Sequence, residues 1–259
     1  MFGRLANQNV LITGASSGIG LSCACQFAKE QSNLILTARR LDRLQALRTE
    51  LCSAYPNIKV HVSALDVGDR NQVFDVLQNL PEHFKSVDVL VNNAGRVFGV
   101  DHVADVKPEH VDDMLDTNVK GLLNVIQAVL PGMKERNKGH IINIGSVAGK
   151  EAYAGGGIYC ATKHAVAAIS KTLTQELIST KINVSLINPG LVNTEFSTVR
   201  FGGDQMKADA VYKGMTPLTG DDIAEIVVFT ASRPPHVQIA DVLVFPSCQS
   251  SVSHVHRQP

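Results

Sequence analysis

Tryptophan is absent from the 259 residues, aromatic side chains reach only 5%, and neither sign of charge is in excess, with 24 lysines and arginines against 24 aspartates and glutamates. That balance removes the electrostatic reason to expect nucleic acid or an anionic membrane as partner. The chain never runs for the roughly 18 uninterrupted apolar residues that a membrane span needs. The opening MFGRLANQNVLIT lacks the long apolar run and cleavage site of a targeting segment, so a cytoplasmic protein is expected. Paired cysteines are lacking too. Cys23, Cys25, Cys52, Cys160 and Cys248 are odd in number and without zinc-site spacing, which reads as small apolar packing residues in a reducing compartment.

What is present is enough to build a sizeable core: 44% of the residues are hydrophobic. Short β-branched runs alternate with longer amphipathic stretches, at NVLIT (9–13), NLILTA (33–38), IKVHVSA (58–64), VDVLV (87–91), HIINIG (140–145), INVSLI (182–187) and DVLVF (241–245). Near-continuous apolar strands separated by helices belong to a parallel sheet covered on both faces. The expected fold is α/β, a doubly wound parallel sheet of about seven strands. No linker, low-complexity tract or short repeat interrupts it, so 1–259 is read as one domain. The irregular region 190–219, broken by Gly202, Gly203, Gly214 and Pro217, follows a strand on the side where such sheets bind ligands. It reads as a substrate lid, with a plain surface excursion as the alternative.

The first strand runs into TGASSGIG (13–20) and then a helical stretch. Gly14 allows a tight turn, Gly18 and Gly20 allow close backbone approach, and the helix start offers free N–H groups to a pyrophosphate. The spacing is G-x-x-x-G-x-G and departs from the general dinucleotide fingerprint. After the second strand the chain reads LTARRLDRL, with Ala38 where an NAD site would carry a carboxylate, then Arg39 and Arg40. Two cations at a helix start oppose its dipole, and a bound phosphate reverses that penalty, so NADP is expected over NAD.

In YCATK, Tyr159 and Lys163 stand four apart in a proline-free stretch from Ile158 to Ile178 whose apolar residues recur at helical spacing. Residues four apart share a helix face. A free phenol titrates near pH 10, so shuttling protons near neutrality asks for a shift of about three units, or about 4 kcal/mol. One positive charge at about 4 Å and an effective dielectric near 20 supplies a contribution of that order before the lysine's own desolvation is deducted, and an oxidised nicotinamide adds a second positive charge. Lys163 is therefore physically adequate to activate Tyr159, although a solvated amphipathic pair has the same spacing.

TGASSGIG, NNAG (92–95), Asn118 in TNVKG, Ser146 in NIGSVAG, YCATK and NPG (188–190) together resemble the short-chain dehydrogenase/reductase family in order and approximate spacing, across almost the whole chain. The resemblance implies a nicotinamide-dependent oxidoreductase on a Rossmann fold, commonly tetrameric. It implies that Tyr159 exchanges the hydroxyl proton, that Ser146 hydrogen-bonds the substrate oxygen, that Lys163 also holds the nicotinamide ribose, and that Asn118 supports a water path to Lys163. For the cofactor it implies Gly14, Ser16, Ser17, Gly18, Ile19 and Gly20 at the phosphates, with Asp66 and Val67 at the adenine. Asn92 would lie beside the adenosine ribose, and Pro189, Gly190, Val192 and Thr194 near the nicotinamide carboxamide. Asp66 has a second reading, as a cap for the next helix.

PGLVNTEFSTVRFGGD (189–204), PLTGDDIAEIV (217–227) and VHRQ (255–258) are similar to the branch of that family that oxidises 3-hydroxy acids, including serine and allo-threonine, with NADP and reduces malonic semialdehyde. VNTEF departs from those members of the branch that carry an extra residue here. A small acid needs a cation for its carboxylate, and Arg200 is the first candidate, Arg96 the second. A broad reductase of ketones, diketones or sugars, and a non-enzymatic NADPH-binding protein, are the alternatives.

Overall fold

The computed structural model describes residues 3–258. Seven strands form one sheet in which every neighbouring pair is parallel, in the order β3-β2-β1-β4-β5-β6-β7. The strands are β1 (Asn9–Thr13), β2 (Asn33–Ala38), β3 (Val60–Ala64), β4 (Val89–Asn92), β5 (Gly139–Ile144), β6 (Ile182–Pro189) and β7 (Asp241–Val244). Between them run α1 (Gly18–Lys29), α2 (Leu41–Ala54), α3 (Arg70–Gln78), α4 (Pro108–Leu115), α5 (Leu122–Arg136), α6 (Gly157–Glu176), α7 (Glu195–Arg200), α8 (Gln205–Ala210) and α9 (Gly220–Ala231).

Alternation along each strand builds two cores, one on each face of the sheet. Val10 and Ile12 of β1, Leu34 and Leu36 of β2, and Val89 and Val91 of β4 pack with Phe27 of α1 and Val227 of α9. Leu11, Ile35 and Leu90, the residues between them, pack on the other face with Val73 of α3, Val125 of α5 and Val166 of α6. A sheet apolar on both faces must be covered twice, and this produces the doubly wound layering.

The strand order reverses between β1 and β4, which opens a crevice at the carboxyl ends of the strands, where α/β sheets bind ligands. Five strands differ slightly from their sequence-expected limits, β5 by a shift of one residue to Gly139–Ile144 and β7 by ending one residue earlier, at Val244. β3 begins two residues later, at Val60, and β4 spans Val89–Asn92. β6 continues to Pro189 because β7 pairs with its last residues and the Gly190 N–H donates to the Val244 carbonyl at 2.7 Å. Among the described residues no helix is long and apolar enough to cross a membrane.

His140 on β5 is buried, with Nε2 2.8 Å from the Ser185 hydroxyl of β6. Burial pushes its pKa down to about 4. An unfolded imidazole binds a proton from about pH 6.5 downward while the folded one refuses it, so the associated stability is present above pH 6.5 and lost as pH falls toward 4. Chemical denaturation should show the wild type losing about 2 kcal/mol more than His140→Gln between about pH 7.5 and about pH 5. Equal losses in the two proteins would remove this assignment.

Candidate active site

The chain leaves β1 at Thr13 and turns sharply at Gly14, where φ is +67° and a Cβ would come 2.9 Å from the Asn93 amide nitrogen and 3.0 Å from Ala94 Cα. Only glycine makes that turn against that neighbour without strain. The turn is stitched to the segment after β4: Thr13 Oγ1 accepts from the N–H groups of Asn93 and Ala94, and Asn93 Nδ2 donates to the carbonyls of Thr13 and Gly14. Gly18 brings the start of α1 to within van der Waals reach of Thr194.

Around this turn lies a cleft of about 450 Å³. Most of the sequence-predicted residues line it: Gly14, Ser16, Ser17, Gly18 and Ile19 after β1, Arg39 and Arg40 after β2, Asp66 and Val67 after β3, Ser146 after β5, Tyr159 and Lys163 on α6, and Pro189, Gly190, Val192, Thr194 and Arg200 after β6. A glycine cradle that any Cβ would crowd, leading to a cluster of serine hydroxyls and guanidinium groups, fits an anionic dinucleotide. Arg40 donates to the hydroxyls of Ser16 at 3.1 Å and Ser17 at 2.9 Å.

Three expected site residues do not reach the wall. Gly20 lies behind it, and its missing Cβ lets α1 pack against the Gly14 carbonyl. Asn92 is buried and donates to Asn143 at 3.0 Å, while Asn143 donates to Ser170 of α6 at 2.9 Å. It therefore anchors α6 to the sheet, and its neighbour Asn93 lines the cleft. Asn118, also buried, sits in a π-helical turn, Asp116–Gly121, between α4 and α5. Its Oδ1 accepts from the Arg96 N–H at 2.7 Å, and its Nδ2 donates to the Arg96 carbonyl at 2.8 Å and to Thr162 Oγ1 at 3.0 Å. A Cβ on Gly95 would lie 3.5 Å from Asn118 Oδ1 and 3.8 Å from Lys163 Nζ, so the two polar atoms face a common space. As for Asp66, its Oδ1 accepts from the Gly68 N–H, and Asp69 supplies the cap of α3 by accepting from Gln72 N–H.

Tyr159 and Lys163 share a face of α6, with Nζ 5.8 Å from the phenol ring centroid. Lys163 is buried and donates to the Ile144 carbonyl at 2.9 Å; burial lowers its pKa to about 8. For the phenol, desolvation works against the lysine's charge. Burial is the largest effect and raises the pKa of Tyr159 above the ordinary phenol value, against smaller lowering effects of the Ser146 hydroxyl and the Arg200 charge. The reason is desolvation, which acts on phenolate and ammonium alike.

The segment 190–219, expected to be irregular, contains α7 and α8 and is closed at its base by a bridge between Val192 and Leu218. Phe196 of α7 packs against Tyr159, ring centroids 5.9 Å apart. Arg200 Nε donates to the Gly99 carbonyl at 2.8 Å, and its guanidinium faces the Tyr153 ring at 5.7 Å. Arg96 also lines the cleft but is already paired with Asp113 at 2.8 Å. Sequence reasoning passed over Asn93, Tyr153, Phe196 and Glu195, all of them on the wall. Only Asn93 had a local signal, its place in NNAG.

The model of the family described as short chain dehydrogenase matches residues 8–203. Over 256 residues, 98% of each chain, the sequence is 47% identical to an NADP-dependent 3-hydroxy acid dehydrogenase of Schizosaccharomyces pombe. It is 43% identical over 242 residues, 93% of this chain and 95% of the other, to sulfoacetaldehyde reductase 2 of Chromohalobacter salexigens. Among solved structures, the closed form of serine dehydrogenase complexed with NADP+ superposes with a TM-score of 0.91 at 42% identity, covering 97% of this chain and 100% of that one. Matched by the family's own pattern and alike to these proteins over nearly its whole length, the chain belongs to the short-chain dehydrogenase family.

Proposed function

We propose that the chain is an NADP-dependent oxidoreductase interconverting a small 3-hydroxy acid, of the serine, allo-threonine, 3-hydroxyisobutyrate or 3-hydroxypropionate type, with its 3-oxo acid. The observation that carries this reading is the joint placement of Ser146, Tyr159 and Lys163 on one stretch of wall with a guanidinium, Arg200, facing the same end of the cleft. When bound, the nicotinamide takes up or supplies the hydride and in its oxidised form adds a positive charge. Tyr159 gives its phenolic proton to the substrate oxygen in reduction and takes it back in oxidation. Ser146 holds that oxygen by a hydrogen bond. Lys163 stabilises the phenolate as a cation and holds the nicotinamide ribose.

Asn118 acts as a positioning residue. It fixes the Arg96 main chain and Thr162, the residue before Lys163, and its Oδ1 borders the space beside Gly95 through which a water carries protons to Lys163. Gly14, Ser16, Ser17, Gly18, Ile19 and Gly20 form or back the phosphate cradle. Arg39 and Arg40 receive the 2′-phosphate, Asp66 and Val67 border the adenine, and Pro189, Gly190, Val192 and Thr194 border the nicotinamide end. Asn92 stands behind the adenosine ribose, with its neighbour Asn93 on the cleft wall. The segment 190–219 is the substrate lid.

Arg200 receives the substrate's acid group. Malonic semialdehyde and sulfoacetaldehyde share one feature, an anionic group one methylene from the carbonyl. A single cation at a fixed distance from Tyr159 suits both. We further read the protein as cytoplasmic and as a homotetramer, the assembly supported by Leu243 on edge strand β7 and Phe229 on α9, both exposed. Light scattering should return the mass of four chains, and a monomer would end that part of the reading.

Replacing Tyr159 by Phe should lower turnover by about 100- to 10,000-fold, in the range of a lost general acid, while NADPH affinity stays as it was. Substantial residual turnover would refute the assignment. Arg200→Ala should raise KM for 3-hydroxy acids by about tenfold or more, as for a lost charge-assisted pair, with less effect on an uncharged alcohol. The test of the whole reading is a panel of serine, allo-threonine and 3-hydroxyisobutyrate followed by nicotinamide absorbance. Rapid turnover of uncharged ketones with none of the acids would favour a broad carbonyl reductase, and an inert panel with tight NADPH binding a non-enzymatic protein.

A further inference from the structure

Glu195, the first residue of α7, reaches across the cleft to the arginines that follow β2. Its Oε2 accepts from Arg40 Nη2 at 2.8 Å, and its two carboxylate oxygens accept from Arg43 Nη1 at 2.9 and 3.0 Å. The same Arg40 nitrogen also donates to the hydroxyls of Ser16 and Ser17. The carboxylate is thus held by two guanidinium groups with serine hydroxyls beside them, and chiefly the Arg40 hydrogen bond drops its pKa to about 2, so it is an anion at any working pH.

A donor set of this kind, forked guanidinium groups flanked by hydroxyls, is the one that recognises a phosphate monoester. A monoester carries about −1.5 to −2 at neutral pH and has three acceptor oxygens, against a single charge on a carboxylate. Arg40 cannot turn the same N–H groups to both anions, and two anions at one site repel. The bridge is partly exposed, with side-chain accessibilities of 40% for Arg40 and 34% for Glu195, so it is weak enough to exchange.

We infer that Glu195 is a specificity-determining residue, an internal anion that, held by Arg43 from outside the cleft, occupies Arg40 of the 2′-phosphate subsite formed by Arg39 and Arg40 and yields it to a phosphorylated dinucleotide. The inference rests on the NADP reading above. Glu195 therefore sets the affinity for the phosphorylated cofactor without touching the affinity for the unphosphorylated one. Because Glu195 begins α7, its release from Arg40 also frees the amino end of the helix that carries Phe196 and Arg200 over the substrate end of the cleft.

Dissociation constants for NADPH and NADH, measured by nicotinamide fluorescence in wild type, Glu195→Gln and Glu195→Ala, test it directly. Both variants should bind NADPH about two- to fivefold more tightly, the range of an exposed ion pair, with NADH unchanged. Adenosine 2′,5′-bisphosphate should follow NADPH, and AMP should follow NADH. A wild type that prefers NADPH, with an unchanged or reduced NADPH-to-NADH affinity ratio in the variants, overturns the role of Glu195 and leaves the cofactor reading standing. A wild type that binds NADH as tightly as NADPH overturns both.

Discussion

A lysine ammonium taken almost out of water is the constraint on which the rest of this site depends. Lys163 donates to the Ile144 carbonyl at the end of β5, and its surroundings lower its pKa to about 8, which leaves it cationic at neutrality but easily discharged. Holding a cation there requires that α6 not drift from the sheet, and several polar contacts outside the reaction secure this. Asn92 reaches Asn143, which reaches Ser170 on α6, while Asn118 ties Thr162 to the chain at Arg96. A Cβ on Gly149 would press on the Lys163 carbonyl, so the short turn after β5 also packs directly onto the helix at the critical residue.

The same cleft is spanned by one six-residue helix with a charged contact at each end. Glu195 faces the arginines of the phosphate end and Arg200 faces Gly99 and Tyr153 at the other, with Phe196 between them against Tyr159. Partly exposed ion pairs are individually weak. A segment held by weak contacts to both halves of a cleft is placed to respond to what fills either half, because a ligand competes with each contact at little cost.

Much of the fold was legible because a parallel sheet buried on both faces leaves nearly continuous apolar runs, and β1 and β2 are buried along their whole length. The cradle and the Tyr159–Lys163 pair were legible because both are local: a turn needing glycine and two residues one helical turn apart. The asparagines were not. Successive strand residues point to opposite faces, so whether Asn92 or Asn93 meets the cleft depends on the register that sets Asn92 opposite Asn143. Glu195 and Arg40 stand 155 residues apart, and only the fold puts them in contact. Strand ends moved for a similar reason, since β6 is lengthened by pairing with β7.

The size of the desolvation effect was the other quantity that spacing does not carry, and it weighs on both members of the pair. Spacing alone suggests that an ammonium pulls the phenol toward neutrality, yet desolvation of Tyr159 in the cleft wall, where Phe196 packs against it, pushes its pKa up. A phenol that keeps its proton is a ready acid, suited to protonating the oxygen of a carbonyl as it is reduced. To act as a base it needs more positive charge than Lys163 alone provides, and on the proposed reading the two sources are the Arg200 guanidinium, which already lowers it, and the oxidised cofactor. Protonation state and cofactor state are then linked by the electrostatics of one buried wall, so that the residue that donates in one direction becomes able to accept only when the positive charge for the other direction is in place.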